Sequence, residues 1–411
     1  MKTVLIVSYH YPPEEGSCNE KNIRIVKLLI ESGYNVVVLT KGYIGYNNLD
    51  IQEKCTIIRT DKNGLFHKVQ NEPTICSKTN TNITDSKLKK IKSKVSEILM
   101  PDSVIDWVSE VKKTFVKHKE YLCSVDVILS ISSPYSAHIA SEYLSKKLNV
   151  PYIMCYGDPW IYEPKRKRGK IRFAIEKNME HRLLKNAAKV LLITEWNKRK
   201  YQELYGIEAS KILTYHIGYD ERECLDQSVT KEKSEFKIIY GGSLDSVHRN
   251  PEPFIKAMSC VDGVKAYIYN SDNASVPKLI NKYGVSDSVI LKPIISSKSF
   301  YEELYKMDAL LLFGNKTPFQ VPGKIFTYIS TKKGIIYIKN NDSNEDGTQK
   351  VLEEYGNSIT VNNSVDEIIT CLNKMKENQS SMRKVNFEKF EFHQTMQPIK
   401  QAIDQVFESL R

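Results

Sequence analysis

The sequence predicts an α/β protein with two doubly wound domains, each a mainly parallel sheet with helices on both faces. Three observations support this class. The chain has 411 residues, more than one hydrophobic core usually organises. Short β-branched runs alternate with helical patterns over the first 217 residues or so, as parallel sheets require. A second series of the same kind begins at Phe236, after the charged stretch Glu221–Glu235 that we interpret as a linker.

The first predicted unit is strand, helix, strand. Val4–Ser8 is a strand that ends in a loop rich in proline and glycine. Apolar residues recur at helical spacing from Ile23 to Ile30, Gly33 ends the helix, and Asn35–Leu39 is the next strand. Further strands are predicted at Thr56–Arg59, Val125–Ser132, Pro151–Cys155, Val190–Ile193 and Ile212–Tyr215, with helices at Ala137–Leu148 and Ile171–Lys185.

The second domain repeats this alternation. A helix is expected after Asn250, with Pro251 at its first position. Its strands are predicted at Phe236–Tyr240, Ala266–Tyr269, Val289–Leu291, Ala309–Phe313 and Ile335–Ile338. We therefore divide the chain into an amino-terminal domain 1–217, a second domain 218–390 and a carboxy-terminal segment 391–411, whose helix is expected to pack on the first domain. Ligands of such sheets bind beyond the carboxyl ends of the strands.

Composition limits the class of partner. Sixty lysines and arginines against 49 acids give a net charge of +11, which favours anionic partners such as nucleotide diphosphates or anionic lipid. The eight cysteines are scattered without C-x-x-C or metal-ligand spacing, so we expect a reduced, cytoplasmic protein without a bound metal. No apolar segment approaches the ~18–20 residues of a membrane span, so we expect a soluble or peripherally attached protein.

Of three further polar segments, two carry open alternatives. Asn71–Asp85 is expected to be an exposed, mobile loop. Lys87–His118 is either a pair of ordinary surface helices or a basic amphipathic element on anionic lipid. Lys165–Arg172 is either a solvated basic loop or a docking site for a phosphate-bearing lipid carrier or the inner membrane face. Nucleic acid is disfavoured, since aromatic residues hardly interleave with this run.

Two loops carry the strongest functional signal. Ser133-Pro134-Tyr135-Ser136-Ala137-His138 follows the predicted strand 127–132, and Tyr156-Gly157-Asp158-Pro159-Trp160 follows the next one. Successive parallel strands bring such loops to one edge of the sheet. This pair is typical of an enzyme that acts on nucleotide sugars.

These residues, in this order, resemble the GT-B glycosyltransferases of the family 4-like group, in particular bacterial surface-polysaccharide enzymes with an S-S-P-x-S-x-H turn and a D-P-W loop. The resemblance covers nearly the whole chain. It implies two Rossmann-like domains facing a central cleft, a UDP- or GDP-sugar donor, and retention of anomeric configuration without a metal or other cofactor. Further matching segments are Tyr11-Pro12-Pro13 with Gly16, Leu183–Ala188, Ile217–Asp220 and Val321–Tyr328.

The donor residues follow from the charge that grows on a departing diphosphate. Backbone N–H groups and cations must meet it. Gly241, Gly242 and Ser243 let the main chain approach a phosphate, and the resemblance adds Val321, Gly323 and Thr327. The candidate cations are Lys324 and Arg249. The alternative is that Lys324 is a solvated lysine of a helix and Arg249 an ordinary surface residue.

The chain departs from the family pattern at three donor positions. Relatives usually carry two carboxylates eight residues apart, where this chain has Phe319 and Thr327, and many carry an arginine where it has Ser243. A neutral acceptor such as Thr327 would weaken the contact to a ribose hydroxyl by about 1 kcal/mol. The departures admit a protein that binds nucleotide sugars without transferring them.

On the acceptor side, Asp158 and His138 are the candidate catalytic residues. The alternative is that Asp158 only caps a turn and that His138 is a hydrogen-bonded histidine at the start of a helix, without a catalytic role. Gly16 belongs to the loop that in relatives meets the donor phosphate or the acceptor. Trp160 is expected in the core or as a platform for a sugar. Glu176 and Glu180 are favoured as a solvated or ion-paired face over a catalytic pair.

We therefore predict a cytoplasmic glycosyltransferase of the hexosyl or N-acetylhexosaminyl type, attached peripherally to the membrane. It would move a sugar from a UDP- or GDP-sugar to a bacterial surface glycan acceptor, which the resemblance implies is lipid-linked. The alternatives are a non-catalytic nucleotide-sugar-binding partner protein and a sugar-nucleotide epimerase on the same fold. A nicotinamide dehydrogenase is disfavoured, because no G-x-G-x-x-G follows the first strand.

Overall fold

The structure is a computed structural model that describes residues 2–14, 17–63, 99–163, 166, 168–221, 235–269, 275–377 and 385–410. The described chain divides into two compact units. The first contains the residues up to Ile217 and the carboxy-terminal segment from Thr395, and the second runs from Gly218 to Gln394. Four predicted features lie wholly or largely outside the described residues, namely Gly16, the loop 71–85, residues 87–98 and most of the linker 221–235.

The first unit contains an eight-stranded sheet in the order β3-β4-β2-β1-β5-β6-β7-β8. All neighbouring pairs are parallel except β3 and β4. The strands are β1 (Thr3–Ser8), β2 (Asn35–Thr40), β3 (Leu49–Ile51), β4 (Cys55–Arg59), β5 (Val127–Ile131), β6 (Tyr152–Cys155), β7 (Lys189–Leu192) and β8 (Ile212–Thr214).

Helices cover this sheet and complete the unit. Its core joins the inner strands to Trp107, Tyr135, Leu144 and Trp160, among other residues. The helices are α1 (Ser17–Glu31), α2 (Trp107–Lys117), α3 (Lys119–Leu122), α4 (Ser136–Leu148), α5 (Lys170–Asn186), α6 (Glu195–Tyr205) and, after the second unit, α14 (Gln397–Ser409), with a 3-10 turn at Ala209–Lys211.

The direction in which successive strands are added to the sheet reverses at β1. From β1 the chain builds outward through β2 and β4, and then returns to place β5 on the other side of β1. Val4 to Ser8 of β1 pair in parallel with Val127 to Ile131 of β5. The carboxyl ends of these two strands therefore form the topological switch point, where doubly wound sheets bind their ligands.

The carboxy-terminal helix α14 packs on the first unit. It contacts β7, β8 and α1. The Phe407 ring stacks on Tyr34 with centroids 6.0 Å apart, and the Lys2 ammonium lies 3.6 Å from the Phe407 centroid. The Tyr34 hydroxyl also donates a hydrogen bond to Asp404. Apolar residues Ile399, Ile403 and Val406 provide the buried face, as the helical spacing of this segment requires.

The second unit contains a six-stranded parallel sheet in the order β11-β10-β9-β12-β13-β14. Its strands are β9 (Phe236–Gly241), β10 (Val264–Tyr269), β11 (Val289–Lys292), β12 (Ala309–Phe313), β13 (Gly334–Lys339) and β14 (Ser358–Asn362). Its helices are α7 (Glu252–Met258), α8 (Ser275–Tyr283), α9 (Ser297–Lys306), α10 (Lys324–Ser330), α11 (Gly347–Tyr355), α12 (Val365–Glu377) and α13 (Phe392–Thr395), with a 3-10 turn at Glu388–Phe390. The switch point here lies between β9 and β12, at Gly241 and Gly314.

The predicted fold class is confirmed, and two strands were not anticipated. The edge strands β3 and β14 are short and partly exposed, so their composition gives a weak strand signal. In 87–118, the described helix α2 turns Trp107, Val111 and Phe115 into the core. These buried side chains cannot rest on a lipid surface, so that interpretation is wrong for the buried face of α2, while Val116 on the same helix is exposed.

Candidate functional site

The donor residues predicted in the second unit gather at its switch point. Gly241 ends β9, and Asn315 follows the adjacent strand β12. Lys324 opens α10 and reaches the end of β9, where its Nζ donates a hydrogen bond to the Gly241 carbonyl. Arg249 lies on the loop after β9, and its Nε donates to Asn315 Oδ1 at 2.8 Å. Sequence segments some 80 residues apart thus form one basic cluster.

Gly242 makes room for the Lys324 ammonium. Its φ of +137° favours glycine, and a Cβ at this position would collide with Lys324 Nζ. The ammonium also lies 4.6 Å from the centroid of the Tyr240 ring. Burial, together with the nearby positive charge of Arg249, lowers the pKa of Lys324 to about 7. A nearby negative charge would favour the charged form of this lysine.

Asn315, which accepts the hydrogen bond from Arg249, belongs to a larger polar network. Asn341 Nδ2 donates to the Asn315 carbonyl at 3.1 Å and to Asp346 Oδ2 at 2.7 Å. The Tyr337 hydroxyl donates to the same Asp346 oxygen at 2.7 Å. Among the described residues, neither Arg249 nor Lys324 forms an ion pair with a carboxylate. Two neighbouring cations without a carboxylate partner can attract an anion.

The glycines act differently from the prediction. The Gly241 amide donates to the Tyr328 hydroxyl at 3.1 Å, and the Gly242 amide donates to the Tyr269 carbonyl at 2.9 Å. Both N–H groups are therefore engaged within the protein and do not point at a ligand. The two glycines contribute space, because a Cβ on Gly241 would collide with the Phe300 ring.

The remaining donor candidates lie around this cluster. Ser243 is exposed directly after β9, and its carbonyl accepts from the Tyr240 hydroxyl at 3.0 Å. Val321 and Gly323 are half-buried in the loop before α10, and Thr327 is half-buried one turn beyond Lys324. Sequence reasoning missed Tyr240, Asn315 and Tyr328. Asn315 had a usable signal, since a polar side chain directly after a buried strand marks the ligand edge of the sheet.

The first unit has a cavity of about 410 Å³ at its own switch point. Residues after β1, including Tyr9, His10 and Glu14, form one wall, and Ser133, Pro134 and Tyr135 after β5 form another. Lys41, Asp102, Glu163 and Arg166 complete a strongly polar lining. Its volume is within the range of sites for small ligands.

Asp158 lies in a loop fixed at both ends. The Gly157 amide donates to the Ser132 carbonyl at 3.1 Å, and the Trp160 amide donates to the Tyr201 hydroxyl at 3.1 Å. A Cβ on Gly157 would lie 2.9 Å from both Ser132 O and Lys21 Nζ, so a glycine is needed there. Asp158 is half-buried. Burial is the main cause that raises the pKa values of Tyr135 and Glu163 in the cavity wall, and the negative charge of Asp158 raises both further.

His138 does not face an open site, contrary to the sequence expectation. Its side chain is fully buried in α4, and its Nδ1 lies 2.7 Å from Ser130 Oγ. Burial, with a smaller contribution from the Lys21 charge, lowers the pKa of His138 to about 3. The ring packs 4.8 Å from Tyr156, centroid to centroid. In this structure His138 is a neutral residue beneath the loops, without access to a substrate.

Glu176 and Glu180 are both buried, so the expectation of a solvated face is wrong, although ion pairing is correct for Glu176. Arg168 Nε lies 2.7 Å and Arg172 Nε 2.6 Å from the Glu176 carboxylate, which also accepts from Trp160 Nε1 at 3.1 Å. Burial raises the pKa of Glu176, but the hydrogen bonds from both arginines outweigh it and hold the pKa below its ordinary value. Trp160 is fully buried and belongs to the core.

The three arginines of the basic run 165–172 therefore form an internal anchor. Arg168 also donates to the Trp160 carbonyl at 2.7 Å, and Arg166 lies 3.1 Å from Glu163. With Arg172 they tie the segment after the Asp158 loop to α5. Neither a solvated loop nor a membrane-docking surface describes these three arginines, while Lys165 and Lys167 lie outside the described residues.

Glu180 predicts a measurable pH dependence of stability. Its carboxylate is fully buried and accepts from the Tyr201 and Tyr205 hydroxyls at 2.7 and 2.5 Å. Burial raises the pKa of Glu180 to about 7, while an unfolded chain has a pKa of about 4.3. Between these values the folded state holds one more proton than the unfolded state, so stability falls as pH rises.

We expect Glu180→Gln to remove this pH-dependent change in the free energy of unfolding, which amounts to on the order of 3 kcal/mol between pH 4.5 and 7. Urea unfolding of both proteins at pH 5 and pH 7.5 measures it. The variant should lose less stability than the wild type across this interval. Equal losses in the two proteins would contradict a raised pKa at Glu180.

Two searches of the described residues bear on cofactors and membranes. No group of three or more His, Cys, Asp or Glu side chains in the described part of the chain is arranged to hold a metal ion. Among the helices of that part, none is long and apolar enough to cross a membrane.

Comparison with solved structures identifies the fold. Sucrose-phosphate synthase from Thermosynechococcus elongatus superposes with a TM-score of 0.68 at 12% identity, over 100% of both chains. Anabaena HepE in complex with UDP and glucose gives a TM-score of 0.62 at 12% identity, over 98% of this chain and 100% of HepE. A Listeria monocytogenes protein assigned as a UDP-N-acetylglucosamine 2-epimerase gives a TM-score of 0.57 at 11% identity, over 100% of this chain and 98% of that protein.

These similarities define an α/β fold of the GT-B class, with two Rossmann-like parallel-sheet domains. No family model matches the sequence, and no curated protein matches it.

Proposed function

We propose that this protein is a glycosyltransferase that uses a nucleoside diphosphate sugar as donor. The observation that carries the proposal is the pair of cations at the β9 and β12 ends, Lys324 and Arg249, which have no carboxylate partner among the described residues. A diphosphate would supply the missing negative charge. The fold neighbours support this reading, since HepE was solved with UDP and glucose.

In the proposed reaction the two cations stabilise the charge that develops as the sugar–phosphate bond breaks. Such stabilisation acts in the transition state and therefore raises the rate as well as affinity. Lys324 suits this role because an arriving phosphate restores a full charge on an ammonium whose pKa is about 7. Thr327, one turn further along α10, is the proposed contact for a ribose hydroxyl.

The finer details rest on the family resemblance. We propose a UDP- or GDP-linked hexose or N-acetylhexosamine donor, retention of anomeric configuration without a metal, and a lipid-linked surface glycan as acceptor at the membrane. The domain boundaries at 217/218 and 390/391 and a cytoplasmic location belong to the same proposal. Proton NMR of the product with each donor assigns the configuration, and assays with and without EDTA test the role of metals.

An epimerase remains the second candidate, because a protein assigned to that activity shares the fold. A screen of UDP- and GDP-sugars separates the alternatives. A transferase releases UDP or GDP in step with glycosylation of an added acceptor preparation, whereas an epimerase converts the donor without any acceptor. Tight nucleotide binding with neither product would favour a binding protein and overturn the transferase proposal.

We expect Asp158→Asn to lower kcat by at least tenfold while leaving nucleotide affinity within about twofold. The loop that carries Asp158 belongs to the first unit, whereas the proposed nucleotide site belongs to the second. A carboxylate beside the reacting groups contributes to the transition state more than to nucleotide binding. Steady-state kinetics and calorimetry of UDP or GDP binding measure the two quantities. Parallel losses in both would contradict an acceptor-side role.

A further inference from the structure

We propose that the cavity of the first unit binds the uncharged, hydroxyl-rich part of a sugar and selects against sugars that carry a carboxylate or a phosphate. The inference deepens the proposed function by naming the chemical class of the acceptor, and it rests on that function only in calling the bound sugar an acceptor. All residues that line the cavity, from Tyr9 to Arg166, belong to the first unit. Binding there can therefore be measured without any transfer reaction.

Both cations of the cavity lining already have a carboxylate partner. Lys41 Nζ lies 3.1 Å from Glu14 Oε2, and Arg166 Nε lies 3.1 Å from Glu163 Oε2. An anionic ligand would have to displace one of these acids, which the chain itself holds in place. This arrangement is the opposite of the basic cluster in the second unit, whose two cations have no carboxylate partner among the described residues.

The charge of the lining also disfavours an anion. It contains three acids, Glu14, Asp102 and Glu163, and two cations, so it has no excess of positive charge when His10 is neutral. Burial raises the pKa of Asp102, and with that carboxyl neutral the remaining charges cancel. The whole chain, in contrast, carries a net charge of +11. The cavity therefore lacks the attraction for anions that the rest of the protein has.

One oxygen of each paired glutamate is left for a hydroxyl group. Within the described part of the chain, no donor contacts Oε1 of Glu14 or Oε1 of Glu163, and these side chains are 28% and 23% exposed. A sugar hydroxyl can donate to such an oxygen, whereas a carboxylate or a dianionic phosphate has no proton to donate. The groups that contact the two Oε2 atoms are Lys41, His10 and Tyr43 at Glu14, and Arg166 and Tyr135 at Glu163.

Tryptophan fluorescence can report on this cavity. The three tryptophans of the chain, at positions 107, 160 and 196, all belong to the first unit. The Trp107 ring packs edge-on against Tyr9 with centroids 5.2 Å apart, and Trp160 stacks on Tyr135 at 5.0 Å. Both tyrosines line the cavity. A sugar bound there should change the fluorescence, whereas the basic cluster lies in a unit without tryptophan.

The first test is a fluorescence titration of the wild type with matched hexoses, supported for the neutral probes by saturation-transfer NMR. The neutral probes are the methyl glycosides of glucose, galactose, mannose and N-acetylglucosamine, and the charged probes are glucuronate, galacturonate and glucose 6-phosphate. At least one neutral probe should bind, and the charged probes should bind at least about tenfold more weakly. A charged probe that binds as tightly as its neutral counterpart would overturn the proposal. So would the absence of both signals with every neutral probe at about 100 mM.

Glu163→Gln should shift this preference towards anions. The change preserves the size of the side chain and leaves the Arg166 guanidinium, which keeps its charge, with Glu176 at 3.8 Å as its remaining carboxylate neighbour. Glucuronate should bind about three- to tenfold more tightly than to the wild type, and the neutral probe about threefold more weakly. The matched control is Glu203→Gln, which removes an ion-paired glutamate from the exposed side of α6 and should match the wild type.

Glu14→Gln tests the other ion pair, and it reads the proposal if Glu163→Gln fails to fold. It removes the partner of Lys41 and should weaken the neutral probe by a similar factor. An unchanged ratio of neutral to charged affinity in Glu163→Gln, or unchanged neutral affinity in Glu14→Gln, would overturn the proposed selection. If the sugars bind as expected but the protein transfers none, the specificity of the cavity stands and the proposed function fails.

Discussion

Replacing Lys324 with methionine should lower kcat/KM for transfer about 10²–10³-fold, the range for loss of one group that stabilises a developing oxyanion. Methionine preserves the length and apolar stem of the side chain but cannot neutralise a phosphate. Because the ammonium is packed against Gly242 and Tyr240 rather than against a carboxylate, its removal leaves no buried acid unpaired. We therefore expect the fold to survive and the thermal shift caused by UDP or GDP to shrink or vanish.

The matched control is Lys350→Met, a change to an exposed lysine on α11 of the same unit. It should leave kinetics and the thermal shift unchanged. Calorimetry adds a readout specific to Lys324. With a pKa near 7, its ammonium is largely deprotonated at pH 8, so binding of a diphosphate should take up a proton in the wild type and not in the variant. An undiminished nucleotide shift in Lys324→Met would refute the proposed phosphate site.

Replacing Glu176 with glutamine should cost about 3–5 kcal/mol in the free energy of unfolding, because it removes one partner of a buried ion pair. The Glu176 side chain is fully buried and that of Arg168 is only 5% exposed. The variant would leave the Arg168 guanidinium facing neutral oxygen atoms alone. The Asp158 loop depends on the same anchor through the Trp160 carbonyl, so activity should fall along with stability.

Urea unfolding measures this effect, and Glu203→Gln is the control. Glu203 pairs with Lys200 at 2.6 Å on the exposed side of α6, and loss of such a pair should cost no more than about 1 kcal/mol. The pKa of Glu176 is depressed in the folded state, so its contribution is present above the unfolded pKa of about 4.3 and is lost as pH falls through the folded value. Equal costs for the two variants would contradict a buried ion pair.

Part of the basic cluster beside Gly241 could be predicted from sequence, because Gly241 and Gly242 come at a strand end and Lys324 opens a helix. Such positions carry local signals, and parallel topology brings them to one edge. The candidate residues of the acceptor side were harder to predict from sequence. His138 has the family spacing and His10 does not, yet His138 is sealed in the core and His10 lines a cavity. The spacing of residues along a chain does not show whether a side chain is buried in the core.

The sequence by itself determined the α/β class, the two mainly parallel sheets, the strand ends at which ligands of such sheets bind, and the basic residues Arg249 and Lys324. These features depend on local periodicity and on the order of strands along the chain, both of which are written in consecutive residues. Only the tertiary structure decided that Lys324 occupies the space beside Gly242, that the arginines after the Asp158 loop anchor Glu176, and that His10 rather than His138 faces a cavity. These facts depend on which distant side chains share a volume, and burial and charge pairing are properties of that volume and not of any segment.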